Sequence, residues 1–292
     1  TAFLLRPGAD VWEEIPFPHR VSPPRTSEPW TFQSLVAATP GGDVFALVSS
    51  GPNEIAYPPW RLLVLRDGEW VERATMADVD PKGLCASREA YYVLTSDTSP
   101  LPSAEQPPGP AREGPPPPAR MALYEVPFGG GEPSPVALPD VDTSMAGVAV
   151  SLACDRGGPY LTSSTPTSDA PMVVFARRAG RWETVEGDWS PGLVQRTHSA
   201  PDGVAIVVTA LRPIRLTVHT VAAGEQAARA LDPRFGHRLL APDPVDGGFV
   251  TIGPLPHLSA EVEAADPSAR ADGDITIETL GFQSSRLGDS AR

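Results

Sequence analysis

The sequence predicts an all-β chain built from repeats, and three observations carry that expectation. First, an apolar run, a charged turn holding a Gly and a Trp that opens a second strand recur together. They read FLLRPGADVWEEIP (3–16), LLVLRDGEWVERA (62–74) and VVFARRAGRWETVEG (173–187), with Trp12, Trp70 and Trp182 in equivalent places. Second, a different hairpin, with a tight turn and a stronger second strand, recurs five times, at 34–50, 83–96, 148–164, 194–210 and 237–253. Third, 36 prolines and 26 glycines among 292 residues leave little room for long helices.

The five tight-turn hairpins turn at GGD, DRGG, PDG or VDGG, except that the second turns at SREA. Gly and Asp tolerate the positive φ that such turns need, and the flanking runs are rich in Val, Ile, Phe and Tyr, as half-buried strands are. Two weaker relatives of the Trp hairpin, at 121–139 and 214–231, fill the remaining gaps. The two hairpin types therefore alternate, giving four-stranded units. The hairpin at His237 starts 43 residues after the one at Val194, a spacing of one four-stranded propeller blade. A two-strand unit cannot bury its own apolar face and must stack on copies of itself. The equivalence of Trp12, Trp70 and Trp182 makes them packing residues.

Four Trp-type hairpins follow the tight-turn ones and a fifth opens the chain. Pairing the N-terminal hairpin with the C-terminal one closes a ring of about five blades, the expected all-β β-propeller over residues 1–292. Closure removes the free sheet edges that invite aggregation. Residues 274–282 (DITIETLGF) also read as a strand, giving the alternative of a sixth blade or a tail packed on the ring; 283–292 read as a flexible tail. The turn SAPDGVAIV (199–207) is similar to inner-strand turns of the β-propeller superfamily. The resemblance implies architecture alone: the signatures of WD40, kelch and sialidase repeats are missing, and no functional residue is implied.

Net charge is −13. Phosphate backbones and anionic lipid require the opposite sign, which disfavours nucleic-acid and membrane partners. No apolar run approaches the ~20 residues that span a bilayer, and TAFLLRPGAD lacks the features of a signal peptide. Basic residues are almost all Arg, with Lys82 the single Lys, a composition that fits a GC-rich bacterial genome. Cys85 and Cys154 are the two cysteines. Both sit in apolar runs and read as free buried thiols, which makes the cytoplasm the expected compartment.

Catalytic signatures are missing: no G-x-S-x-G, P-loop, G-x-G-x-x-G or H-E-x-x-H occurs. His198 and Ser199 are adjacent, but neighbours on a strand point to opposite faces. The clustered acids are Asp78 and Asp80 in ADVDPKG, and Asp140 and Asp142 in PDVDTSM. Both pairs precede the first strand of a unit. Carboxylates there are candidates for Ca²⁺ or for acid and base on a glycoside, against the plainer reading of solvated loop Asp. No other cofactor is expected. Trp30, Tyr57, Trp60 and Trp189, with Arg25, Arg61 and Arg234 nearby in sequence, read as candidate contacts for a protein or sugar, or else as packing residues.

Residues 99–119 (SPLPSAEQPPGPAREGPPPPA) form a Pro-rich insertion between two strands, expected to be extended or disordered-like. A second long connection, 254–273, carries His257, Glu261, Glu263 and Asp266. The expected function is that of a non-catalytic interaction scaffold, one subunit of a larger assembly with a protein partner. The alternative is a carbohydrate-binding or glycoside-hydrolysing propeller using acids near a central channel. Oligomeric state is left open.

Overall fold

The computed structural model describes residues 2–4, 13–18, 30–39, 42–52, 58–77, 79–97, 121–140, 149–165, 171–200, 202–211, 214–222, 225–231, 239–242, 249–254 and 275–280. Every regular element there is a strand. The N-terminal hairpin is β1 (Ala2–Leu4) and β2 (Glu13–Ile15). Sheet I follows, with β3 (Trp30–Ala38), β4 (Val44–Pro52), β5 (Trp60–Arg66) and β6 (Glu69–Met76). Sheet II holds β7 (Val79–Ala86), β8 (Ala90–Asp97), β9 (Met121–Pro127) and β10 (Ser134–Val136). Sheet III holds β11 (Ala149–Asp155), β12 (Gly158–Ser164), β13 (Val173–Arg178) and β14 (Arg181–Thr184). Sheet IV holds β15 (Leu193–Ala200), β16 (Gly203–Leu211), β17 (Ile214–Ala222) and β18 (Glu225–Leu231). The last group is β19 (Leu239–Pro242), β20 (Phe249–Pro254) and β21 (Ile275–Leu280).

Sheets I to IV are four-stranded antiparallel meanders, each strand bonded to its neighbour in sequence. The alternation of two hairpin types thus becomes two halves of each sheet. The C-terminal part departs from expectation. β21 takes the place beside β20 that the N-terminal hairpin was expected to fill, and β1 and β2 form a separate two-stranded sheet. The run ITIETL has strand character and reaches β20 through a far shorter connection than the N-terminus does, so closing that pair costs less chain entropy.

Period-two alternation then decides the packing. On β8, Tyr91 and Val93 join Phe45, Leu47, Leu62 and Val64 of sheet I. The intervening Tyr92 and Leu94 join Leu152, Cys154 and Leu161 of sheet III. On sheet III, Tyr160, Val174 and Ala176 meet Val204, Ile206 and Val208 of sheet IV. Sheets I to IV therefore stack face against face in chain order, with the first strands β3, β7, β11 and β15 next to one another in that order. Phe45 and Tyr91 rings lie 4.9 Å apart across the first of these interfaces. Each fully buried Val, Leu or Phe contributes about 1.5–3 kcal/mol.

The outer face of sheet I is covered by the N-terminal segment. Phe17, just past β2, packs with Ala46, Val48, Leu63 and Trp70, its ring 5.1 Å from that of Trp70. Trp182, the sheet III equivalent of Trp70, donates Nε1–H to the Ala137 carbonyl at 2.7 Å and so ties sheet III to the end of sheet II. Trp12 lies outside the described residues.

Polar links reinforce the same interfaces. Thr197 Oγ1 donates to the Leu152 carbonyl, and Ser199 Oγ accepts from the Cys154 N–H, both at 2.9 Å. Ser164 Oγ accepts from the Val194 N–H. The cysteines correct the sequence reading: Cys85 on β7 and Cys154 on β11 form a disulfide between sheets II and III, with Cα atoms 5.5 Å apart. Two apolar runs 69 residues apart gave no sign of this, because only the side-by-side placement of the two first strands brings the sulfurs together. No helix among the described residues is long and apolar enough to cross a membrane.

One hairpin tip is clamped by charge. Asp155 accepts the N–H groups of Gly157 and Gly158 on one oxygen, and the Tyr160 hydroxyl and Arg178 on the other. Arg178 also bonds the Tyr160 oxygen and lies over its ring. Burial pushes the Tyr160 hydroxyl well above the ordinary tyrosine range, helped by the Asp155 carboxylate. Gly158 sits at φ +147°, where a Cβ would meet the Arg177 carbonyl at 2.6 Å. We expect Asp155→Ala to destabilise the fold by about 3 kcal/mol, because it strands Arg178 and two turn amides. Tyr160→Phe should cost about 1 kcal/mol; urea unfolding of the two variants measures both.

Candidate functional site

In an antiparallel meander the connections after the first and third strands lie at one end of the sheet and the connection after the second lies at the other. Here the ends differ. One carries short turns, among them 67–68, 156–157 and 179–180. The other carries most of the longer connections, at 53–59, 98–120, 137–148, 165–172 and 185–192, beside two short ones at 77–78 and 212–213. Ligand contacts concentrate on loops held by rigid elements, so the long-loop end is the candidate site.

Two polar clusters occupy its described part. In the first, Asp80 on β7 faces Ser96 on β8 across the ladder. Ser96 Oγ donates to Asp80 Oδ2 at 3.2 Å, and Lys82 Nζ reaches the same oxygen. A bulge between Pro81 and Gly83 makes this possible. Pro81 has no N–H to give the ladder, and the extra residue, Lys82, is left outside the pairing. In the second cluster, Arg61 at the start of β5 spans both oxygens of Glu72 at 3.2 Å, and Thr75 donates to Glu72 at 2.9 Å. The side chains of Asp80 and Lys82 are 37% and 46% exposed, those of Arg61 and Glu72 29% and 22%. The first pair is therefore the more open to a ligand. Sheet IV repeats the bulge at the corresponding place, between Val194 and Arg196 on β15.

The four candidate acids fare differently. Asp80 belongs to a strand and is neutralised by Lys82, which corrects its assignment to a loop. Asp140 is exposed just beyond β10, and Asp78 and Asp142 lie outside the described residues. Among the described residues no three His, Cys, Asp or Glu gather in a way that would hold a metal ion. Lys82 already occupies the Asp80 oxygen that a cation would approach. Asp80 was visible as an acid but its partners Lys82 and Ser96 were not; Pro81 beside the lone Lys was the available signal of a bulge.

The aromatic candidates are corrected in part. Trp60 opens β5 and is 7% exposed, packed in the core between sheets I and II. Trp189 is 9% exposed, donates Nε1–H to the Val185 carbonyl and lies 5.3 Å from the His219 ring. A large ring beside a strand end gains more from burial than from display. Both are packing residues. Trp30 opens β3. Tyr57, Arg25 and Arg234 lie outside the described residues, as do His257, Glu261, Glu263 and Asp266.

His198 and Ser199 form no dyad. Ser199 is turned to sheet III by its bond from Cys154, and strand alternation sends His198 to the other face. Burial lowers the His198 imidazole to about 4, with Arg196 adding to the effect. His219, fully buried against Trp189 and the Gln226 amide, is lowered by burial as well.

No family model matches the chain, and no curated protein matches it. Solved structures with a partial likeness include a mutant of the Synechocystis apocarotenoid oxygenase (13% identity, TM-score 0.43, 79% of this chain and 57% of that one). Another is the polysaccharide lyase Uly1 (12% identity, TM-score 0.43, 75% and 53%). The chain thus aligns with little more than half the length of each.

The two histidines make stability pH-dependent. Folded His198 stays neutral down to about 4, whereas the unfolded chain takes up a proton near 6.5. Between those values the unfolded state binds more protons, so stability falls as pH drops from about 6.5 to 4 and levels off below. We expect His198 to account for a loss on the order of 3 kcal/mol across that window, with His219 acting in the same direction. Urea unfolding at pH 7 and pH 4 should show a smaller difference for His198→Gln than for the parent.

Proposed function

We propose that the chain is a β-propeller of about five blades that works as a non-catalytic scaffold, holding the connections at one end against a protein partner. The observation that carries the proposal is the contrast between the two ends. Short connections predominate at one end, and most of the long connections leave from strand ends at the other, where the Asp80–Lys82–Ser96 and Arg61–Glu72–Thr75 clusters lie. Charge-paired, half-exposed side chains on rigid strands give orientation and partner discrimination at little conformational cost.

The radial reading is supported by first strands that neighbour one another in chain order and by interfaces that repeat from sheet to sheet. The fifth blade is β19–β21 with the N-terminal hairpin beside it. Phe17 already covers part of one face of sheet I, over Ala46, Val48, Leu63 and Trp70, while Val36 on β3 is 57% exposed. In this reading the ring is completed by bringing β19 and β20 against that exposed position of β3.

Two experiments test this. Deleting residues 1–18 uncovers Ala46, Val48, Leu63 and Trp70, so the shortened chain should melt earlier and less cooperatively; an unchanged melt rules out the ring. Replacing 99–119 with a short Gly-Ser linker should leave the melt unchanged while weakening capture of the native partner at least about tenfold. Retained capture by the linker variant, or turnover of a glycan panel by the unmodified protein, would overturn the scaffold role.

A further inference from the structure

We propose that this protein works in an oxidising compartment and that the Cys85–Cys154 bond is a permanent staple between sheets II and III. The proposal is independent of the scaffold role. It rests on where the bond sits. Cys85 and Cys154 are 1% and 0% exposed, within one cluster with Tyr92, Leu94, Leu123, Leu152 and Leu161. They occupy the first strands of two different sheets, so the bond crosses an interface that no backbone ladder crosses. Beside it, the inner strands close tightly: a Cβ on Gly83 would meet Leu152 Cβ at 3.0 Å.

This location argues against a switch. A regulatory disulfide needs a sulfur that an attacking thiolate can reach. Neither sulfur is reachable until sheets II and III separate, which is unfolding. The chain has two cysteines and both are in the bond, leaving no thiol to resolve or reshuffle it. A closed loop of this size removes substantial entropy from the unfolded chain, and such bonds persist where thiols are not kept reduced. Formation balances by exchange. The two thiols give up two protons and two electrons as the S–S bond forms, and a donor disulfide, from an oxidoreductase or a small-molecule disulfide, is released as two thiols. Because the folded interface hides both sulfurs, oxidation occurs before or during the docking of the two sheets. The sequence-based expectation of a cytoplasmic protein rested on free thiols, and their pairing removes that basis.

Trypsin provides a direct readout. Cleavage after Lys82, Arg88, Arg120 and Arg156 releases Cys85 in peptide 83–88 and Cys154 in peptide 121–156. Protein isolated from its native source, with thiols blocked by an alkylating reagent at lysis, should yield these two peptides as one linked species without reductant. Alkylated Cys85 and Cys154 in that sample would overturn the proposal. Native protein in millimolar dithiothreitol should lose the bond at least about 100-fold more slowly than denatured protein; equal rates would identify an accessible, switch-like bond. The Cys85→Ala/Cys154→Ala pair should lower Tm by about 8 °C, and an unchanged Tm would contradict a staple. Should that variant fail to fold, the peptide and reduction measurements still decide the matter.

Discussion

Each four-stranded sheet of this protein is apolar on both faces, and a sheet with two apolar faces has to be covered twice. Alternation along a strand makes that possible. Tyr91 and Val93 serve one neighbour, Tyr92 and Leu94 the other. Once sheet II is committed to sheet I on one side, its other face needs sheet III, and sheet III in turn needs sheet IV. The chain supplies the covering sheets in order, so stacking follows sequence. The two outermost faces remain, and the N-terminal Phe17 covers part of one.

Polar contacts refine this stack without driving it. Thr197, Ser199 and Ser164 use hydroxyls to satisfy backbone groups of an adjacent sheet, which sets how far one sheet slides on the next. The Asp155–Tyr160–Arg178 clamp fixes a hairpin tip. Arg156 extends from the same turn to Asp202 at 2.8 Å, and its carbonyl accepts the Arg88 N–H, so the tips of sheets II, III and IV are linked. A tied-down turn end leaves the other end as the place where loop length can vary without cost to the core.

The strands were legible because local signals agree: Gly and Asp turns, β-branched runs and the recurring Trp all mark the same hairpins. Trp70 and Trp182 do pack at sheet faces. Long-range facts were not legible. The disulfide depends on two strands 69 residues apart becoming neighbours, which no spacing rule reports. The partner of β20 depended on a competition between β21 and the N-terminal hairpin, and the sequence offers both as strands. Trp60 and Trp189 stand beside loops in sequence and inside the core in space. Asp80 was visible as an acid, but its neutralisation by Lys82 comes from a bulge whose register only the ladder shows.

Sheets I to IV form one cooperative stack, with no sheet stable by itself. Native-state hydrogen exchange on the amides of β4, β8, β12 and β16 can show whether they open together. The slowest amides of all four strands should share one opening free energy and one denaturant dependence, as parts of a single unfolding unit. Four separate opening free energies, each with the small denaturant dependence of a lone sheet, would mean that the sheets are independent units.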